Sequence, residues 1–203
     1  MAVGGVGAVE DGRRARRQGN RDAVVDALLA LYLDGNLHPT TDEIAERAGL
    51  SPRSVFRYFD DVDDLHRAAI ARQHERVEPM AGLWVDAGEP LAVRIERLVA
   101  QRVALFDAIG AVGIVSRLNE PFHPVIAAEL REARRLLRRQ LERVLAPELA
   151  ELGERASPVL AAVDVLCSFE AYQLLRHDQR LSRARAAAAL TETLTLLFSK
   201  EDR

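Results

Sequence analysis

The stretch TTDEIAERAGLSPRSVFRYF, Thr40 to Phe59, reads as two short helices joined by a tight turn. Thr40 with Glu43 three residues later is a capping box, which opens the first helix and lets it run to Gly49. Ser51-Pro52 supplies an N-cap and then a proline at the first helical position, where its missing N–H costs nothing. Ile44, Ala45, Ala48, Gly49, Leu50, Val55 and Tyr58 fall at helix-turn-helix spacing. Ala45 is small because the second helix crosses over it, and Gly49 takes the positive-φ turn position at little cost. Ile44, Leu50 and Val55 close the small core between the crossed helices.

The second helix carries two Arg and no acid between Ser51 and Phe59. Val55 and Phe59 face the core, which leaves Arg53, Ser54 and Arg57 outward. An outward arginine at such a helix reads guanine O6 and N7 bidentately, worth about 1–3 kcal/mol of discrimination. Ser51, Tyr58 and the helix start at Thr40 offer donors suited to phosphate. With Phe56, these residues make the expected double-stranded DNA interface: Thr40, Ser51, Arg53, Ser54, Phe56, Arg57 and Tyr58.

Outward from this stretch the pattern stays helical. Val24, Val25, Leu28, Leu31 and Tyr32 form an apolar stripe that begins at Asn20 and stops at Asp34-Gly35-Asn36. Asp60 to Asp64 opens a longer helix ending near Pro79. Further patterns cover roughly 91–109, 111–118, 123–147, 157–177 and 183–199, with breaks at Gly110, Glu120-Pro121, Pro147, Gly153 and Leu181-Ser182. No strand pattern or internal repeat survives a count. The expected fold is all-α: residues 1–19 a flexible basic tail, 20–66 a three-helix helix-turn-helix domain, and 67–203 a larger helical effector-binding and dimerisation body.

Residues 21–66 resemble the DNA-binding head of the TetR family of bacterial transcriptional regulators. The resemblance rests on the first helix ending at Gly35, on TTDEIAERAGLS, on the aromatic run FRYF (Phe56–Phe59) and on an acidic helix start with Leu65. It implies about nine helices and a homodimeric repressor whose last two helices pair with the partner's. It further implies a pocket for a small-molecule effector among the middle helices. Val62 stands where the family often has a phosphate-touching Lys, Pro39 where it favours Thr, and Thr41 where it favours an apolar residue. Phosphate contacts at this entrance then rest on Thr40, with His38 as an additional candidate.

Composition bounds the rest. The 203 residues hold 28 basic and 31 acidic side chains, a net charge of −3, and Lys200 is the one Lys among the basic residues. Residues 1–59 balance at 8 and 8, residues 60–80 hold 3 basic and 6 acidic, and residues 81–203 balance at 17 and 17. The acidic excess therefore lies on one segment and does not exclude a nucleic acid. Residues 12–21, GRRARRQGNR, carry five Arg and no acid, so an arm reaching the minor groove is one reading and a solubilising tail the other. Arg131 to Arg143 carries six Arg opposite an apolar stripe of Ile126, Leu130, Ala133, Leu137, Leu141 and Val144, which reads as a solvated outer face.

The rival reading is enzymatic. Asp60-Asp61-Val62-Asp63-Asp64 matches D-D-x-x-D, by which helical isoprenoid synthases hold Mg²⁺ on a diphosphate. The run opens a helix rather than lying within one, and no second acidic motif follows, so no catalysis is expected. No cofactor is expected, and no metal-ligand cluster is legible among the five His. Cys167, alone in an apolar run, reads as a buried thiol. MAVGGVGAVED is no signal peptide, and the uncharged stretch Ala108 to Ser116 is about half the length of a membrane span, so a cytoplasmic protein away from membranes is expected.

Two helical stripes suit a paired interface or a subunit core: Val159, Leu160, Val163, Leu166, Cys167 and Leu174, then Leu190, Leu194, Leu197 and Phe198 after Ala186–Ala189. Candidate effector contacts on the central helices are Trp84, Arg102, Phe106, Asn119, Phe122 and His123.

Overall fold

Every regular element in the computed structural model, which describes residues 6–198, is helical. The order is α1 (Val6–Leu33), α2 (Thr41–Arg47), α3 (Pro52–Tyr58), α4 (Val62–Ala81), α5 (Leu91–Asn119), α6 (Pro124–Val144), α7 (Ala146–Leu152), α8 (Ala156–Leu166), α9 (Phe169–Gln173) and α10 (Arg183–Phe198). A π-helical turn, Leu174–Asp178, continues α9. Helices α8 and α9 are one helix broken where Ser168 turns extended and its Oγ caps the Ala171 N–H at 3.1 Å. Counted so, the described residues hold nine helices.

The chain divides into two compact units. The first takes the described residues up to Glu75 together with Gly110–Leu130; the second takes Arg76–Ile109 and the described residues from Arg131 onward. This differs from the expected division at residues 66 and 67. The reason is visible in the core of the first unit: Val112 packs in one cluster with Val24, Leu28, Ile44, Ala45, Val55, Tyr58 and Phe59.

Within that unit the helix-turn-helix forms for the local reasons its residues supply. The Thr40 capping box is complete, with the Glu43 N–H donating to Thr40 Oγ1 and the Thr40 N–H donating to Glu43 Oε2 at 2.7 Å. Helix α2 ends in a Schellman turn: the Leu50 N–H donates to the Ala45 carbonyl at 2.9 Å and the Gly49 N–H to the Glu46 carbonyl at 3.1 Å. That turn needs a left-handed residue, and Gly49 supplies it at φ +68°. Ala45 has no exposed surface, as the crossing of α3 requires. Ser51 caps α3 by position only, because its Oγ pairs with Ser54 Oγ at 2.9 Å instead.

Helix α1 corrects the expected tail. It begins at Val6 among the described residues, so Gly12 to Gly19 are helical turns ahead of Asn20. Arg, Ala and Gln are good helix formers, and the segment lacks apolar periodicity because residues 12–19 are all exposed and pack on nothing. Residues 1–5 of that expectation lie outside the described residues. Helix α4 likewise passes Pro79 and ends at Ala81, where Gln101 and Gln140 side-chain amides donate to the Ala81 carbonyl at 3.3 and 2.8 Å.

In the second unit, Leu98, Val99, Val103, Phe106, Leu141, Leu145, Val163, Phe169, Tyr172 and Leu194 are buried. Helix α5 is long and apolar enough to cross a membrane by length and composition, but half of that window is buried in the fold. Its Arg94 and Arg102 are buried too, Arg94 held by Glu148 and the Val144 carbonyl and Arg102 by Gln140 and the Leu137 carbonyl. These features make it a core helix, broken at Gly110 with φ +48°. Cys167 is buried as expected, and burial pushes its thiol up to about 12.

Two glycines separate local causes. Gly49→Ala should lower stability by about 1 kcal/mol, because alanine resists the left-handed turn. Gly19→Ala, at an exposed helical position with open space around it, should raise stability by roughly 0.5–1 kcal/mol. Urea unfolding of the two variants checks both, and an unchanged Gly19→Ala midpoint would count against the helical extension.

Candidate nucleic-acid interface

Helix α3 presents one face outward. Arg53, Phe56 and Arg57 are exposed at i, i+3 and i+4, with Phe56 72 % exposed, while Val55, Tyr58 and Phe59 are buried beneath. Ser51 is exposed and Ser54 half-buried at the N-terminal end of the same helix. The outward set read from sequence thus comes together on one surface.

Two expected contacts are placed differently. Tyr58 is a core residue, and its phenol oxygen accepts hydrogen bonds from Asn20 Nδ2 at 2.7 Å and the Arg57 guanidinium at 3.0 Å. Those bonds, that from Arg57 first, hold the phenol below its ordinary pKa. Tyr58 therefore ties α1 to α3 rather than standing out as a phosphate donor. Thr40 is exposed, yet its hydroxyl already donates to Glu43 Oε2 at 2.8 Å. Asn36 Nδ2 also donates to Glu43, at 3.1 Å, and the hydrogen bonds from Thr40 keep the Glu43 carboxyl below the usual carboxylate range. The α2 entrance thus carries its own anion, which satisfies the helix N-terminus internally. His38 is exposed on the preceding loop.

The helical extension adds a basic surface that the aperiodic sequence hid. Arg13, Arg14, Arg16 and Arg17 are exposed on α1. Arg17 lies one turn before Asn20, whose amide meets the Tyr58 hydroxyl, and the Arg17 charge is felt at that phenol. Arg17 therefore adjoins the C-terminal end of α3, and Arg13, Arg14 and Arg16 lie on the preceding turns of the same helix. Arg21 does not belong to this surface. Its guanidinium grips Asp64 through two bonds of 3.0 and 2.7 Å, donates to the Tyr58 carbonyl at 2.7 Å and lies 4.4 Å from the Phe59 ring centroid.

The acidic run serves the fold. Asp64 receives Arg21, the Asp61 carboxylate accepts the Asp64 N–H at 2.6 Å and caps α4, and Asp63 pairs with His123 at 3.1 Å. These carboxylates point at different partners, so D-D-x-x-D is not assembled around one diphosphate. The Arg-rich α6 face is laced by acids, with Arg138 to Asp164 at 3.2 Å, Arg134 to Glu170 at 3.4 Å and Arg139 to Glu132 at 2.9 Å.

The six candidate effector residues are not gathered into one place. Arg102 and Phe106 are buried in the second unit, Phe106 edge-on to Phe169 at 5.7 Å, while Trp84 is 80 % exposed. Burial pulls the Arg102 guanidinium down to about 10, and its Nε lacks a hydrogen-bond partner. In the first unit Asn119 bonds back to the Val115 carbonyl at 2.9 Å and Phe122 is exposed. His123 meets Asp63 and His66 instead, their candidate ligand atoms all within 4.8 Å of one another. That cluster corrects the expectation that no metal-ligand group exists among the histidines. Asp63 and His123 are 60 residues apart, and only the fold brings them together.

Residues 24–69 match the family described as bacterial regulatory proteins, tetR family. The fold is similar to that of a tetR-family transcriptional regulator from Streptomyces coelicolor, at TM-score 0.64 and 23 % identity, covering 87 % of this chain and 81 % of that one. A structure described as a TetR-family transcriptional regulator from Rhodococcus sp. gives 0.64 and 17 %, covering 89 % and 99 %. A transcriptional regulator from Rhodococcus sp. Rha1 gives 0.58 and 20 %, covering 89 % and 94 %. At these identities the likeness concerns the fold. Among curated proteins nothing matches the chain.

The Arg21–Asp64 pair makes head stability depend on pH. The hydrogen bonds from Arg21 hold the Asp64 carboxyl below its ordinary 3.8, so this contribution is present above that value and is lost as pH falls through the lower folded value. Asp64→Asn should therefore cost most stability at neutral pH, with the gap to the parent protein narrowing as pH falls below the ordinary 3.8. Urea unfolding at neutral pH and below that value measures it; a constant gap would refute the assignment.

Proposed function

We propose, from a head that belongs to the tetR family of bacterial regulatory proteins, that the chain acts as a homodimeric repressor. It occupies a pseudo-palindromic operator in double-stranded DNA and leaves it when a small-molecule effector binds. At the coarser level the chain is a DNA-binding transcriptional regulator and not an enzyme. The observation that carries the reading is the outward face of α3, where Arg53, Phe56 and Arg57 project from a helix containing no acid.

In this reading α3 enters the major groove. Arg53 and Arg57 read base edges, Phe56 packs on a thymine methyl or sugar, and Ser51 and Ser54 meet phosphate. Arg57 leaves Tyr58 to do so, trading a phenol hydrogen bond for a base. Arg13, Arg14, Arg16 and Arg17 lie along the flanking backbone and add counterion release. Such a protein works where the DNA is, in the cytoplasm.

One helix-turn-helix reads one half-site, and two must stand about 34–36 Å apart, so a two-fold dimer fits the task. The exposed faces of α8 and α10 support such a pairing. Leu160, Val163, Cys167, Leu190, Leu194 and Phe198 of the expected stripes are buried inside the chain, while Ala161, Ala162, Val165, Leu174, Ala188, Leu196 and Leu197 are exposed. Val165 is 68 % and Leu196 72 % exposed, large apolar side chains better placed against a partner than in water. For the effector, Arg102 and Phe106, both buried in the second unit, are the proposed contacts. Buried Arg102, with its unpartnered Nε, supports this best. A coupling on the order of 1–3 kcal/mol, transmitted through α4, suffices for release.

Selection of random DNA duplexes on the purified protein should return a palindromic consensus. Arg57→Ala should then weaken binding to that consensus by about 1–3 kcal/mol with the fold and dimer intact. Alanine at Arg13, Arg14, Arg16 and Arg17 together should lower affinity evenly across sequences and flatten its salt dependence. Leu196→Arg should yield monomers by sedimentation. Full operator affinity in Arg57→Ala would remove α3 as the reading face.

A further inference from the structure

We propose that Asp63, His66 and His123 form a binding site for a divalent transition metal of the zinc type, joining the first turn of α4 to the residue that precedes α6. Asp63 and His66 stand at i, i+3 on α4, so both side chains project from one helical face. His123 is brought against them by the fold, its ring edge-on to that of His66 with centroids 4.3 Å apart at 82°. Asp63 Oδ1 lies 3.1 Å from His123 Nδ1 and 3.9 Å from His66 Nδ1. A tetrahedral ion with bonds of about 2.0–2.1 Å needs its ligand atoms about 3.3 Å apart, and these separations bracket that edge.

A hydrogen-bonded Asp–His pair explains two of these groups but not the third. At 3.9 Å, His66 Nδ1 is beyond hydrogen-bond reach of the carboxylate, and it is buried without a partner. A buried imidazole nitrogen left so is costly, and one metal ion accounts for all three atoms at once. Two imidazoles and one carboxylate favour zinc and its neighbours over calcium or magnesium, which want an all-oxygen shell. Three protein ligands leave a fourth position for water.

The frame around the cluster is held independently of any ion. Asp64, next to Asp63, is gripped by Arg21, and His74 on α4 pairs with Glu129 on α6 at 2.6 Å. A metal would thus enter a site whose two walls are already positioned, so little ordering opposes binding. An ion here braces the start of α4, which only three residues separate from the end of α3.

The test uses the untagged full chain, stripped of metal and titrated with Zn²⁺ against a chromophoric chelator, with Co²⁺ as spectroscopic probe. One equivalent per chain is expected, with the ligand-field bands of four-coordinate cobalt and a melting temperature raised by zinc. His66→Gln and His123→Gln should each weaken binding by at least about ten-fold and abolish the thermal shift, whereas His177→Gln should keep both. Asp63→Asn, which preserves side-chain shape, decides the matter should a histidine variant fail to fold by circular dichroism. Absence of saturable binding overturns the proposal, as does zinc binding of parent strength in Asp63→Asn or in both folded histidine variants.

Discussion

One guanidinium sets the geometry of the reading head. Arg21 reaches from α1 to the end of α3 and the start of α4, binding the Tyr58 carbonyl, the Asp64 carboxylate and the Phe59 ring together. The carbonyl is one that the end of α3 leaves without a helical partner, and the carboxylate lies in the first turn of the next helix. A planar fork serves these partners in a fixed arrangement, which a lysine ammonium does not. Side-chain exposures of 29 % and 18 % leave the pair half-buried, and its two charge-assisted bonds to one carboxylate hold it more firmly than an ordinary surface ion pair. A seven-residue helix has little stability of its own, so its orientation depends on such ties.

The same tie divides the charge of the head into two roles. Asp64 and Asp63 turn to Arg21 and His123 and Asp61 caps α4, whereas the arginines of α3 and of the first turns of α1 face outward. A net charge of −3 therefore coexists with a locally cationic surface. Phosphate is met by that surface, while the carboxylates hold the scaffold. The α2 entrance departs from this division because Glu43 neutralises its own helix start, which leaves α3 and α1 to supply most of the attraction.

Much of the head was legible because its causes are local. A capping box, a Schellman glycine and a proline at N1 each act within four or five residues, so Thr40, Glu43, Gly49 and Pro52 declared their roles in one dimension. Periodicity likewise separated Val55 and Phe59 from Arg53 and Arg57. Where packing imposes no periodicity that signal vanishes: residues 12–19 are helical but wholly exposed, and so resembled a tail. The stripes on α8 and α10 were real but turned inward, because a stripe reports burial without naming what buries it.

The sequence by itself determined an all-helical chain, the two crossed helices with their turn, and the outward arginines of α3, since helix period and capping chemistry are properties of neighbouring residues. Only the tertiary structure decided that Arg21 is an anchor, that Tyr58 is core, that residues 110–130 cluster with the head, and that His123 meets Asp63 and His66. Each of these joins residues at least 37 positions apart, and no local propensity encodes which distant side chain will close such a contact.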